Sequence, residues 1–158
     1  MLDRLINFLR STLQASRAGT HTLADEFARL DDYLGLMAVR MGARLRCTLT
    51  LPPELEPAEV PALLLQPLVE NAIRHGLEPK PAGGHIEVSA ARDAGRLLLA
   101  VHDSGVGWRD AAPGGHAGFG LAQVRERLAA RCAGAARLDI GPAAGGGTLA
   151  TLTLPLPP

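Results

Sequence analysis

The chain has 158 residues, 47% of them hydrophobic, with 16 basic and 16 acidic side chains and no formal net charge. That length fits one domain with a small helical appendage. The absence of any basic run speaks against nucleic-acid binding, which needs clustered Lys and Arg. Lys80, the only lysine, stands between Pro79 and Pro81, so a phosphate loop ending in Gly-Lys-Ser/Thr is excluded.

With only 3% aromatic residues, the core must be built from Leu, Val, Ile and Ala. Cys47 and Cys132 stand far apart in no CxxC pattern, which suits two reduced thiols in a cytoplasmic domain and leaves one disulfide as the alternative. The longest apolar runs, such as Leu97 to Val101, are too short to span a bilayer. No signal-peptide pattern opens the chain.

Taken in order, residues 2–16 read as a helix with an apolar stripe at Leu2, Leu5, Leu9 and Leu13. Ala18-Gly19-Thr20 breaks it. Thr22 has the character of an N-cap and Asp25 of its capping-box acid. A second helix runs to about Gly42 with a stripe at Leu23, Phe27, Leu30, Leu34, Met37 and Met41. Three covers for these stripes stay open: the following domain, the other helix, or a second copy of the chain.

Leu45 to Leu51 alternates as a half-buried strand, and Pro52-Pro53 ends it. Val60 to Gly76 reads as one buried helix, with Pro67 expected to kink or reset it. Ile86 to Arg92 and Arg96 to Asp103 read as strands of a hairpin turning at Asp93-Ala94-Gly95. Ser104 to Ala117 is a glycine-rich loop, and Phe119 to Arg131 a helix. Arg137 to Ile140 and Thr148 to Leu154 are strands around Gly145-Gly146-Gly147. Helices interleaved with hairpins predict an α+β, two-layer sandwich: a mostly antiparallel sheet with helices on one face.

Four short stretches carry the chemistry. Asn71, in Glu70-Asn71-Ala72-Ile73-Arg74-His75-Gly76, offers an amide oxygen of the kind magnesium accepts beside phosphates and water. His75 lies about one helical turn on, where it can donate to phosphate oxygens. Glu70 can orient a water or the metal's hydration shell. A lone helical Asn or His is more often simply solvated, and only the later motifs weigh against that.

Asp103 ends a strand ahead of Gly105 and Gly107. Its carboxylate can accept from an exocyclic amine such as adenine N6, and the glycines let backbone approach a ring or sugar. The same pattern also describes an ordinary strand-to-turn junction. Gly118 and Gly120 open a helix, whose free N–H groups attract anions, and Leu121 follows. Gly147-Thr148 contributes a closing hydroxyl. The stretch from Gly107 to Gly118 reads either as a flap over a ligand or as a plain surface loop, and Trp108 as its cover or its anchor. His21, His85, His102 and His116 show no metal-ligand spacing.

With these stretches in place, the chain resembles the ATP-binding domain of sensor histidine kinases, within the gyrase, heat-shock chaperone, histidine kinase and MutL superfamily (Bergerat fold). Asn71 to Gly76 matches the N box, Asp103 to Gly107 the G1 box and Gly118 to Leu121 the G2 box. Leu63-Leu64-Leu65-Gln66-Pro67-Leu68-Val69-Glu70-Asn71-Ala72-Ile73-Arg74-His75-Gly76 resembles the signature of the LytS/YehU-like subgroup. Gly120 to Leu128 resembles that subgroup's "GLxNVRERL", with Gln123 where Asn is usual, and Tyr33-Leu34 with Arg40 meets its upstream pattern.

The resemblance implies ATP and Mg2+ as cofactors. Asn71 would hold the metal, Glu70 and His75 would be the catalytic candidates, and Asp103 would select adenine. Gly105, Gly107, Gly118, Gly120, Leu121 and Thr148 would surround the nucleotide. It also implies γ-phosphoryl transfer to a histidine on a dimerisation helix and relay to a response regulator, in a two-component system whose full-length protein is membrane-bound.

The subgroup's "PHFLFN"-like acceptor motif has no counterpart here, and His21 lacks its flanking residues. Residues 1–42 are therefore expected to be the end of the dimerisation region plus a connecting helix, cut away from the acceptor, and residues 43–158 the catalytic domain. Homodimerisation through the N-terminal helices is an expectation. Two other functions compete: a stand-alone ATPase with Glu70 activating water, and a serine-kinase or partner-binding module.

Overall fold

The structure, a computed structural model, describes residues 1–108, 118–132 and 134–156. Helix α1 (Leu2–Ala18) ends at Gly19, whose φ of 74° is left-handed. Strand β1 (Thr20–Thr22) leads directly into α2 (Leu23–Met41). The capping box forms as expected: the Asp25 N–H donates to Thr22 Oγ1 at 3.2 Å, and the Thr22 N–H donates back to the Asp25 carboxylate at 3.2 Å. After β2 (Leu45–Thr50) and β3 (Glu59–Pro61) comes α3 (Gln66–Asn71), which continues through a π turn over Ala72–Leu77. The remainder is β4 (Gly84–Asp93), β5 (Arg96–Asp103), α4 (Gly118–Cys132), β6 (Arg137–Pro142) and β7 (Thr148–Pro155).

Five strands form one sheet in the order β2-β4-β5-β7-β6. Only the β2–β4 pairing is parallel. The β4–β5 hairpin turns as expected, with Ala94 at φ 49° and Gly95 at φ 77°, the positive pair that a two-residue turn needs to match strand twist. Alternation decides the faces. Ile86, Val88 and Ala90 of β4, Leu97, Leu99 and Val101 of β5, and Ala150, Leu152 and Leu154 of β7 all point into the core. Asp103, next in the β5 alternation, is carried onto that same buried face. The other face keeps partly or fully exposed residues such as Glu87, His102 and Thr151.

One hydrophobic cluster unites the sheet with α2, α3 and α4: Leu23, Phe27 and Leu30 meet Leu65, Ile73, Val124 and Leu128 in it. The apolar stripe of α2 is thus covered by the sheet domain. Helix α1 instead rests on α2, with the rings of Phe8 and Tyr33 5.7 Å apart. Its stripe at Leu2, Leu9 and Leu13 is exposed.

The expected single helix from Val60 to Gly76 does not form. Val60 belongs to β3, which pairs antiparallel with β1, His21 opposite Val60. Leu63 has φ 58°, outside helical geometry. Pro67 sits in the first turn of α3, where its missing N–H costs nothing, so it starts the helix and does not kink it. The helix then widens, with the Glu78 N–H donating to the Ile73 carbonyl at 2.8 Å, five residues back.

Candidate nucleotide-binding site

Asp103 is the anchor of the site. It is 3% exposed at the end of β5. Its Oδ1 accepts the Gly105 N–H at 2.9 Å. Burial raises its pKa above the ordinary carboxylate value, while the Gly105 N–H, nearby His102 and the Thr148 N–H oppose that rise. The carboxylate is thus desolvated, with Oδ1 held by the Gly105 N–H.

Three glycines make that frame. Gly76 faces the carboxylate so closely that an added Cβ would lie 2.6 Å from Oδ1. An added Cβ on Gly105 would overlap the Gly76 carbonyl, and one on Gly147 the Asp103 carbonyl. Gly147 also has φ 82°, so it alone both turns the chain and admits the start of β7. Thr148 is then paired directly with Asp103. The Val106 N–H donates to the Gly76 carbonyl at 2.9 Å, binding the loop after β5 to the π turn.

The N-terminal motif lies on α3 and that turn. Asn71 is partly exposed at the end of α3, and Glu70 and His75 are exposed. Gln66 Nε2 donates to Glu70 Oε1 at 2.9 Å, steadying the carboxylate one turn away. The structure therefore brings Asp103, Gly105, Gly76 and Thr148 into one cluster and hangs Asn71, Glu70 and His75 on the same α3–π segment. Gly107, at φ 97°, has open space around it.

Gly118 and Gly120 form the first turn of α4, whose leading N–H groups have no intrahelical partners. Leu121 is buried in the core. Trp108 packs against that core. The flap expected between Gly107 and Gly118 falls mostly on residues 109–117, outside the described residues.

Several site-supporting residues carry no local signal. Lys80 Nζ donates to the Ser104 carbonyl at 2.9 Å, tying its loop to the residue after Asp103. Ser104 Oγ accepts the His85 N–H at 2.8 Å, and the Ser104 N–H donates to the His85 carbonyl at 3.0 Å. Arg44 holds the carbonyls of Glu78, Lys80 and Pro81. Arg40 pairs with Glu78 at 3.1 Å. Tyr33 is pushed up to about 12, first by burial and then by Glu70 and Glu78. Among the described residues, no three His, Cys, Asp or Glu side chains gather as a metal cage. A cation beside Asn71 would thus take one protein amide oxygen plus phosphate and water, a donor set that suits magnesium.

Residues 58–158 match the family described as histidine kinase-, DNA gyrase B-, and HSP90-like ATPase. The chain belongs to that family, as an ATP-binding catalytic domain of the sensor histidine kinase kind. It is 35% identical over 104 residues to the sensor histidine kinase BtsS of Escherichia coli, an alignment covering 66% of this chain and 18% of that protein. It is 34% identical over 110 residues to the sensor protein LytS of Staphylococcus haemolyticus, covering 70% of this chain and 19% of that one. The chain thus spans about a fifth of the length of these relatives. The histidine kinase domain of the Erythrobacter litoralis EL346 blue-light activated histidine kinase superposes with a TM-score of 0.65. At 19% identity it covers 98% of this chain and 79% of its own, a likeness of fold. No helix among the described residues is long and apolar enough to cross a membrane.

Proposed function

We propose that this domain holds ATP with Mg2+ and donates the γ-phosphoryl group to a histidine imidazole on a dimerisation helix, for relay to an aspartate of a response regulator. The bond from the γ-phosphorus to the ADP oxygen breaks, a phosphorus–nitrogen bond forms, and ADP leaves. The observation that carries the reading is the framed, buried carboxylate of Asp103 between the Asn71 segment and the start of β7.

In this reading Asp103 accepts from the adenine amine, and Gly105 and Gly107 let backbone approach the base and sugar. Gly118 and Gly120 offer N–H groups to the phosphates with Leu121 seating their helix in the core, and Thr148 closes the site. Asn71 holds the metal, which would neutralise charge on the phosphates. His75 donates to phosphate oxygens. Glu70, steadied by Gln66, orients the metal's water. The protein's contribution is positioning and charge stabilisation, as phosphoryl transfer demands. The exposed stripe of α1 favours pairing with a second copy in the full-length receptor.

The test is calorimetric titration with a non-hydrolysable ATP analogue, followed by phosphotransfer to a supplied acceptor helix. Wild type should bind and transfer. Asn71→Ala should lose the magnesium-dependent part of binding while keeping the fold. Hydrolysis without acceptor that Glu70→Gln abolishes would favour the stand-alone ATPase, and phosphorylation of a partner's serine the serine-kinase alternative.

A further inference from the structure

Helix α2 does more than cover the sheet. It reaches the Asn71 segment at both ends. At the far end Arg40 meets Glu78, and between them Tyr33 feels the charges of Glu70 and Glu78. At the near end Glu26, 1% exposed, extends Oε1 to the Leu65 N–H at 2.7 Å, across 39 residues of sequence.

Leu65 is the N-cap of α3, and a leucine has no side-chain acceptor for the helix's free N–H groups. Glu26 supplies one from another element. The turn just before is fixed on three more sides. The Ala62 N–H donates to the Gly19 carbonyl at 3.0 Å, the Ala62 carbonyl accepts Arg127 Nη1 of α4 at 2.7 Å, and Leu63 holds φ 58°.

Glu26 is itself held in place. Its Oε2 meets His21 Nε2 and accepts Arg29 Nη1 at 3.3 Å, while Arg29 Nη2 lies 3.0 Å from His21 Nδ1. Glu26, His21 and Arg29 thus form a buried ring of contacts in which Arg29 Nη1 and Nη2 are engaged while Arg29 Nε has no partner among the described residues. Mere stability does not call for such a ring, since a buried ion pair gains little over well-packed apolar residues. A fixed direction for one carboxylate oxygen is what it provides.

We infer that Glu26 is a positioning residue for Asn71. Helix α3 has six α-helical residues before it widens into the π turn, and Asn71, the last of them, lies about 9 Å along it from Leu65. Fixing the Leu65 N–H therefore adds, to the core packing of Leu68 and Val69, a constraint on how the segment carrying Asn71 is set. The inference rests on the reading that Asn71 holds magnesium.

Removing Glu26 alone would strand the buried Arg29, so Arg29 is replaced as well. Glu26→Gln with Arg29→Met keeps a carbonyl oxygen for the Leu65 N–H, and Glu26→Met with Arg29→Met keeps none. Each is titrated with a non-hydrolysable ATP analogue in magnesium and in EDTA. The Gln variant should keep the wild-type gain in affinity from magnesium. The Met variant should lose about tenfold of it while its EDTA affinity holds. Equal magnesium gains in the two variants, or equal losses in both conditions, would overturn the inference.

Asn71→Ala separates the two claims. If it keeps the magnesium gain, the metal assignment fails; if it loses the gain and the Met variant does not, the role of Glu26 fails. Should the Met variant not fold, amide exchange in the wild type decides. Coupling is reciprocal, so the analogue with magnesium should slow exchange at the Leu65 N–H more than the analogue in EDTA. No difference there would overturn it.

Discussion

Gly76→Ala is the sharpest probe of the site. The added methyl would sit 2.6 Å from Asp103 Oδ1 and 2.9 Å from Cγ, where ordinary contact begins at 3.4 Å. The carboxylate must therefore retreat by about 0.8 Å. It is short and Oδ1 is held by the Gly105 N–H, so it cannot swing aside without weakening that bond. A hydrogen bond from ligand to a charged acceptor is worth about 1.5–3 kcal/mol. Its loss should weaken binding of an ATP analogue by about ten- to a hundredfold. Calorimetric titration measures this, with circular dichroism confirming the fold. A folded Gly76→Ala protein that binds with wild-type affinity would refute the claim that Asp103 reads the nucleotide from this frame.

Asp103→Asn should cost at least about tenfold in the same titration. Because burial raises the Asp103 pKa in the folded state, its contribution to stability is full below the ordinary carboxylate value of about 3.9 and is lost as pH rises through the higher folded value. Tm measured across acidic pH should show that loss in the wild type and not in the variant; parallel curves would contradict it. Gly147→Ala combines a left-handed φ with overlap of the Asp103 carbonyl, for a loss of about 2–4 kcal/mol and a fall in Tm of roughly 5–15 °C. Gly145→Ala, at φ 86° in open space, bears only the conformational part, so equal falls would argue against the overlap.

Tyr33 is the only tyrosine, so phenolate absorbance reads it alone. It should ionise near 12, and Glu70→Gln should lower that value. The stability held by keeping it neutral is present below about 10 and fades as pH rises toward 12. An ordinary titration near 10 in the folded protein would refute the burial of Tyr33, and an unchanged value in Glu70→Gln the influence of Glu70.

Much of this architecture was legible in the residues. The Thr22–Asp25 box, the Ala94-Gly95 hairpin and the alternation of β4, β5 and β7 are local signals, and each local preference agrees with the fold around it. The same holds for the site. The Asp103, Gly105 and Gly147 motifs need backbone without side chains, and glycine announces that need in the chain itself.

The misread segment, Val60 to Gly76, shows where local reading stops. Its apolar run suits a helix and a buried strand equally, and what decided between them was β1, a three-residue strand with no signal of its own. The single lysine could be seen, but not that it reaches Ser104. Nor could the reach of Glu26 to Leu65 be seen, since both residues look ordinary on their own elements.

The sequence by itself determined the family and named the candidate parts of its nucleotide site, because those parts are short, ordered and written in residue types with few substitutes. The tertiary structure alone decided where α3 begins, why its end widens into a π turn against Asp103, and which distant side chain caps it. Those outcomes depend on partners tens of residues away, and a backbone N–H is satisfied by whatever acceptor folding brings to it.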